Sequence, residues 1–138
     1  MRVVLAHGVF DWLHHGHLEH LEQARAMGDY LIVSVVADRF VEKGRLVQDE
    51  EWRVRMLAAL RVVDQVVLSE AKDSPCELLE RLKPALYVRG PDYVERRMPD
   101  SVVAARLGIE CAFTKTVLGV STTKLKQEQR DLTLLFLG

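Results

Sequence analysis

The stretch that decides the fold is residues 3–37, VVLAHGVFDWLHHGHLEHLEQARAMGDYLIVSVVA. It opens with an apolar run, residues 3–6, that is typical of a buried strand. Residues 16–27 place apolar side chains along one helical stripe, and Gly28 follows where the helix would end. Residues 30–37 are apolar and β-branched without polar alternation, as expected for a strand covered on both faces. The stretch therefore predicts a strand, a helix and a second strand.

The rest of the chain continues this alternation. Residues 74–77 (SPCE) form a capping box in front of a helix that Lys83 and Pro84 end. Further strands are predicted at residues 62–68, 85–88 and 109–113, and further helices at residues 50–60, 75–83, about 99–107 and from 121 onward. In the helix at 50–60, three apolar side chains recur at i, i+4 spacing and are expected to face the core: Trp52, Met56 and Leu60.

Alternating strands and helices with short connections indicate right-handed βαβ units. We therefore expect an α/β, Rossmann-like fold with a mostly parallel five-stranded sheet and helices on both faces. Ligands of such sheets bind beyond the carboxyl ends of the strands. We expect one domain over residues 1–138, in which the apolar tail 131–138 could be a last strand, a subunit contact or a disordered end.

Composition excludes several classes of protein. The chain has 138 residues, 19 Lys and Arg against 20 Asp and Glu, and a formal net charge of −1. That balance gives no general attraction to nucleic acid or to an anionic membrane. Cys76 and Cys111 form no CxxC motif, so neither a disulfide framework nor a cysteine zinc site is indicated. No apolar run approaches the roughly 20 residues of a membrane span. We expect a cytoplasmic protein.

Four histidines lie where the first predicted helix begins. His15 and His20 are expected to be ordinary polar residues of the helix surface. His14 and His17 flank Gly16, so backbone can approach a ligand closely at a helix N-terminus, which attracts anions. This arrangement predicts a phosphate site. A metal site is the less favoured alternative, because zinc usually requires a further ligand.

Two motifs make the chain recognisable. Residues 8–11 (GVFD) and 14–17 (HHGH) resemble the GxFD…HxGH signature of the cytidylyltransferase-like nucleotidyltransferases. Residues 119–123 (GVSTT) resemble the second signature of that family, G-[IV]-S-T-T. The resemblance covers residues 2 to about 127. The chain has neither a P-loop nor a GxGxxG fingerprint.

The resemblance implies transfer of a nucleoside monophosphate from a nucleoside triphosphate to a phosphorylated acceptor, with release of pyrophosphate. It implies Mg²⁺ held mainly by the nucleotide phosphates, and His14, His17 and Lys43 as catalytic residues. The implied acceptor-phosphate residues are Asp11 and Arg53. The implied nucleotide-binding residues are Gly8, Val9, Phe10, Gly16, Asp38, Arg89, Gly90, Asp92, Gly119, Ser121, Thr122 and Thr123.

Plainer roles stay open for some of these side chains. Lys43 could be a solvated loop residue, Arg53 could pair with Asp49 on the surface of its helix, and Ser121 could be an ordinary N-cap.

Short segments elsewhere in the chain suggest which nucleotide and which acceptor are used. Residues 88–93 (VRGPDY) resemble the VKGxDY segment of the heptose-1-phosphate adenylyltransferase branch, as residues 73–75 (DSP) resemble its D-[ST]-P. The glycerol-3-phosphate cytidylyltransferase branch typically has Arg at the position of Thr116. The resemblance favours ATP and a sugar or polyol phosphate, with CTP and glycerol 3-phosphate as the alternative. Relatives are often dimeric, so a homodimer is expected. A non-catalytic nucleotide sensor is a further alternative, which the two complete motifs disfavour.

Overall fold

The computed structural model describes residues 1–70, 75–91 and 99–115. These residues form one parallel sheet in the order β3-β2-β1-β4-β5. The strands are β1 (Val3–Gly8), β2 (Tyr30–Val36), β3 (Gln65–Ser69), β4 (Leu86–Arg89) and β5 (Glu110–Phe113). All four pairings are parallel, with Val4 beside both Leu31 and Leu86. The predicted α/β fold is confirmed.

The helices connect the strands and cover both faces of the sheet. They are α1 (His15–Ala26), α2 (Glu50–Ala58), α3 (Cys76–Leu82) and α4 (Pro99–Arg106). The core on the first face is built with α1 and α2 and includes Val4, Leu21, Val33 and Leu57. The core on the second face is built with α3 and α4 and includes Leu5, Ile32, Leu79 and Ala104. Within the described residues, no helix combines the length and the apolar character needed to cross a bilayer.

The strand order places the functional rim. The chain moves outward from β1 to β2 and β3, and then returns to the other side of β1 for β4 and β5. The order therefore reverses between β1 and β4, and the loops that leave these strands open a crevice at their carboxyl ends. Gly90 follows β4 at this rim, whereas Asp92, residues 119–123, Ser74 of the predicted capping box and the tail 131–138 lie outside the described residues.

The predicted core face of α2 is wrong for Trp52 and Met56, whereas Leu60 packs against the core of the first face as expected. Trp52 is 50% exposed and Met56 40% exposed, while the buried residues of the helix are Arg53 and Leu57. The helix is turned so that the guanidinium of Arg53 reaches oxygen acceptors in the interior. Apolar spacing predicted the opposite face because the burial of an arginine follows from its partners and not from its hydropathy.

Gly28 follows the C-cap residue of α1, as predicted, but close packing explains it better than helix termination. A Cβ at this position would lie 2.5 Å from Cγ2 of Val4 and 2.7 Å from the carbonyl oxygen of Arg2. Both contacts are shorter than real Cβ atoms make, and one is to backbone. The glycine therefore lets the end of α1 approach the start of β1.

Replacing Gly28 with alanine should destabilise the fold by about 1–3 kcal/mol, because the added methyl group overpacks a rigid contact. Gly90→Ala is the matched control, since a Cβ at Gly90 meets none of the described residues within 4 Å. Urea unfolding of both variants measures the difference. Equal stability of the two variants would show that the β1–α1 contact yields more easily than its distances indicate.

Candidate active site

The loop between β1 and α1 takes a strained path. Phe10 and Trp12 have φ values of 51° and 60°, in the left-handed region that residues with a Cβ rarely adopt. The buried Phe10 ring packs on Gly8, where a Cβ would lie 3.0 Å from the ring. The same ring meets the ring of His17 edge-on, with centroids 5.7 Å apart. Three residues predicted for the site thus share one packed corner at the end of β1.

His14 and His17 form a capping box that begins α1. The backbone N–H of Gly16 donates to Nδ1 of His14 at 3.0 Å, and the backbone N–H of His14 donates to Nδ1 of His17 at 3.3 Å. The two rings stack with centroids 4.0 Å apart. A backbone N–H can only donate, so each Nδ1 is an unprotonated acceptor. The ring proton of each neutral histidine is therefore on Nε2.

Both rings are held neutral in the free protein. Burial lowers the pKa of His17 to about 4, and positive charge on His14 or His20 would lower it further, while Asp11 opposes the shift. Burial also lowers the pKa of His14, with His15 adding to the shift. Nε2 of His14 is buried and has no hydrogen-bond partner in the described part of the chain. A buried donor without a partner is costly, and a ligand oxygen would satisfy it.

Asp11, predicted to act on acceptor phosphate, holds a loop. Its carboxylate accepts the backbone N–H groups of Val47, at 3.1 and 3.0 Å to the two oxygens, and of Gln48 at 2.9 Å. The Gln48 side chain in turn accepts the backbone N–H of Trp12 at 3.1 Å. The loop after β2 is thereby fastened to the loop after β1. That loop carries the exposed Lys43.

Arg53 is fully buried and ties three segments together. Its Nε donates to the carbonyl of Gln48 at 3.1 Å, and Nη1 donates to the carbonyls of Val9 and Val36, each at 2.8 Å. Its Nη2 pairs with a carboxylate oxygen of Asp38 at 2.6 Å.

The surface pairing of Arg53 with Asp49 that the sequence left open is wrong, since Asp49 caps α2 by accepting the backbone N–H of Trp52. Contact between substrate phosphate and Asp11 or Arg53 stays a prediction.

The end of β5 is fastened to α1. Nδ1 of His20 lies 2.5 Å from Oγ1 of Thr114, and the Gln23 side chain makes two hydrogen bonds to the backbone of Lys115. His20 is therefore a half-buried contact residue and not the plain surface residue that the sequence predicted. His15 is exposed, as predicted. The chain thus reaches the surface of α1 four residues before Gly119.

A polar cluster on the second face of the sheet was missed by sequence reasoning. Its members are buried or half-buried at the carboxyl ends of β1, β2 and β4 and the start of α4. We call it the second-face cluster, and it consists of His7, Ser34, Tyr87, Arg89, Asp100 and Ser101. The sequence does contain a signal for this cluster, because His7 and Ser34 are polar residues within otherwise apolar strands.

Hydrogen bonds and an ion pair connect this cluster. Nδ1 of His7 lies 2.5 Å from Oγ of Ser34. The hydroxyl of Tyr87 donates to Asp100 at 2.6 Å, and the guanidinium of Arg89 lies 3.6 Å from the same carboxylate. Burial lowers the pKa of His7 to about 4, against the attraction of Asp100. Arg89, predicted to bind nucleotide, is thus buried beside α4.

The side chains of the described site do not form a coordination shell for the implied Mg²⁺. Among the described residues, no group of three His, Cys, Asp or Glu side chains is placed to hold a metal ion. The carboxylates of Asp11 and Asp38 are engaged by backbone N–H groups and by Arg53. The histidine Nε2 atoms carry protons and suit phosphate oxygens better than a cation. These side chains could bind the phosphates of a metal–nucleotide complex, and Mg²⁺ held mainly by the nucleotide phosphates stays a prediction.

Comparison with known proteins places this geometry in a family. The profile of the cytidylyltransferase-like family matches residues 5–128. The chain belongs to this family. Two curated relatives, both called bifunctional protein HldE, come from Gluconobacter oxydans and Magnetococcus marinus. They are 41% and 39% identical over 128 and 131 residues, which cover 90% and 91% of this chain.

The matched region is only part of each of these relatives, and solved structures with a similar fold are also found. The chain spans about a quarter of each relative's length, 26% in both cases. A lipopolysaccharide core biosynthesis protein from Thermoplasma volcanium has a TM-score of 0.71 and 25% identity, over 85% of this chain and 98% of that one. Pantothenate synthetase from Thermus thermophilus shares the fold, with a TM-score of 0.53 and 17% identity, over 83% of this chain and 55% of that one. The chain is a nucleotidyltransferase-like domain.

The lowered pKa values predict that acid destabilises the fold. Between the ordinary value of 6.5 and the folded value of about 4, the unfolded chain binds protons at His7 and His17 that the folded chain does not. The free energy of unfolding should therefore fall as pH falls through this window. His17→Gln should reduce the slope by up to one proton, as measured by urea unfolding at a series of pH values. An unaltered slope in His17→Gln would contradict neutral burial of that ring.

Asp11→Ala should release the loop after β2. Two backbone N–H groups lose the buried carboxylate that accepts them, which should cost about 1–3 kcal/mol and speed hydrogen exchange at the amides of Val47 and Gln48. Asp49→Ala is the matched control. Within the described part of the chain, the Asp49 carboxylate accepts a hydrogen bond from the backbone N–H of Trp52 and makes no hydrogen bond to the loop at residues 47 and 48. Slow exchange at residues 47 and 48 in Asp11→Ala would show that other contacts hold the loop.

Proposed function

We propose that the chain transfers the adenylyl group of ATP to a phosphorylated sugar and releases pyrophosphate. The observation that carries the proposal is the histidine pair at the start of α1. Both Nδ1 atoms are used as acceptors, so both neutral rings present Nε2–H donors beside a helix N-terminus. Membership of the cytidylyltransferase-like family supports the same reaction class.

The proposed reaction depends more on stabilising negative charge in the transition state than on a general base. A phosphate monoester has its second pKa near 6, so the acceptor is already an anion at neutral pH. Its oxygen forms a bond to the α-phosphorus of ATP, and the bond from that phosphorus to the oxygen bridging to the β-phosphate breaks. Negative charge builds on the α-phosphate and on the leaving pyrophosphate. Donors fixed before the reaction stabilise that charge without reorganising.

His14 and His17 fit the role of such donors. Their rings are fixed by the helix cap, by mutual stacking and by Phe10. Without bound phosphate the rings are expected to be neutral, because positive imidazoles would repel each other at this distance. Bound polyphosphate would raise the pKa of both rings and let them share the developing charge. Mg²⁺, when bound to the phosphates, would supply further charge neutralisation.

Two other segments complete the proposed site. Lys43 lies in a turn closed by a hydrogen bond from the N–H of Arg45 to the carbonyl of Glu42, with Gly44 at φ 87°. Its loop is fastened beside the histidines through Asp11. Residues 119–123 are proposed as a second anion site. The tie between Lys115 and α1 supports this, since four residues span at most about 14 Å.

Two similarities support ATP as the nucleotide and a sugar phosphate as the acceptor. Residues 88–93 resemble the adenylyltransferase branch, and a similar solved structure is described as a lipopolysaccharide core biosynthesis protein. The nucleotide contacts proposed for Asp38, Arg89, Gly90 and Asp92 follow from the resemblance. A homodimer and a cytoplasmic location stay predictions.

The test is pyrophosphate release with ATP or CTP, Mg²⁺ and a panel of phosphorylated sugars and polyols. ATP with a sugar phosphate should give the highest rate. Faster release with CTP and glycerol 3-phosphate would support the cytidylyltransferase alternative. Tight nucleotide binding without release for any acceptor would indicate a sensor and overturn the proposal.

In the same assay, His17→Ala should lower turnover about 10²- to 10³-fold, the usual loss for one transition-state donor. The fold should survive, because Ala at this position removes only one hydrogen bond of the helix cap. His15→Ala is the matched control, since its side chain is exposed on the same helical turn. Activity within a few-fold of the unmodified chain would contradict the role given to His17.

A further inference from the structure

Apart from Arg89, for which a nucleotide contact is proposed, the second-face cluster has no role yet in the proposed reaction. Its residues lie at the same rim as the histidine pair but on the opposite face of the sheet. The alternation along β1 places Ala6 in the core beneath α1 and α2, and His7 toward α4. His7 directly precedes Gly8, the last residue of β1, on which the ring of Phe10 packs. The two groups of polar residues therefore flank one crevice from opposite sides.

The geometry of in-line phosphoryl transfer suggests which substrate lies on which face of the sheet. The attacking and leaving oxygens lie on opposite sides of the reacting phosphorus. If the N-terminus of α1, on the first face, holds the leaving pyrophosphate, the acceptor must enter from the second face, away from Asp11 and Arg53, which already bind groups of the chain itself. His7 and Ser101 are the half-buried members of the cluster on that side, and thus the ones that reach the surface.

The chemistry of His7 suits a hydroxyl group. Ser34 is fully buried on the neighbouring strand and fixes the ring through Nδ1 at 2.5 Å. Within the described residues, Nε2 of His7 makes no hydrogen bond. Nε2 of a neutral imidazole is either a donor or an acceptor, and a hydroxyl can pair with either, because it both accepts and donates hydrogen bonds. The charges deeper in the cluster compensate each other, since Arg89 and Asp100 form an ion pair.

We propose that His7, positioned by Ser34, binds a hydroxyl group of the acceptor and makes the site selective for a polyhydroxylated sugar phosphate. This inference rests on the proposed function and adds the residue that would recognise the sugar. Ser34 is a positioning residue that acts through the ring of His7. The other members of the cluster hold the rim in place.

The test compares hexose 1-phosphates with their deoxy analogues as acceptors, with ATP and Mg²⁺. His7→Phe keeps an aromatic ring and removes both nitrogens. The KM for the acceptor should rise roughly five- to tenfold, the value of one neutral hydrogen bond, while the KM for ATP stays within twofold. The variant should also lose discrimination at one hydroxyl position, which a merely structural role would not change. His15→Phe, on the exposed side of α1, should alter neither KM.

A second variant guards against misfolding. His7→Phe leaves the buried hydroxyl of Ser34 without its partner, which could destabilise the chain, whereas His7→Phe with Ser34→Ala removes both polar groups. The double variant should fold and show the same acceptor defect, and Ser34→Ala by itself should show a smaller one. Normal turnover with an unchanged acceptor KM in the folded double variant would overturn this inference and leave the proposed function intact. Absence of pyrophosphate release by the unmodified chain with every acceptor would overturn both.

Discussion

The buried guanidinium of Arg53 is the interaction on which the rim of this domain depends. A buried cation is tolerated only where acceptors surround it, and here three backbone carbonyls and the carboxylate of Asp38 do so. The carbonyls belong to Val9 in the loop after β1, to Val36 at the end of β2 and to Gln48 in the loop after β2. One side chain therefore fixes the relative positions of the segments that carry the histidines and Lys43. The Asp11 carboxylate repeats the device with backbone N–H groups as its donors.

The histidine pair couples helix formation to chemistry. Helices usually begin with Ser, Thr, Asp or Asn, whose oxygens accept the first free N–H groups. Here an imidazole nitrogen does this, and the same hydrogen bond decides which ring nitrogen carries the proton. The stacked rings, the strained Phe10 and the tight approach at Gly8 keep the donors in place before any ligand arrives. The local structure thus supplies the preorganisation that electrostatic catalysis requires.

Much of the fold follows from the sequence, and less of the site does. The strands and α1 were predictable because their periodicity reflects burial against a sheet. The buried face of α2 was not, since Arg53 is interior only by virtue of acceptors that come from distant loops. His20 and Asp11 show the same limit, because their partners lie 94 and 36 or more residues away. Motifs identify which residues matter, but long-range hydrogen bonds decide what each of them touches.

The sheet divides its polar residues between two faces. On the first face, neutral donors stand at a helix N-terminus, where bound anions are stabilised. On the second face, Arg89 is already balanced by Asp100, and the surface-reaching groups of His7 and Ser101 are neutral. Under the proposed function, the polyphosphate offers charged oxygens to the first face, and the sugar part of the acceptor offers hydroxyl groups to the second. Because β1 ends between the two faces, a shift of its register by one residue would exchange Ala6 and His7 and abolish both sites together.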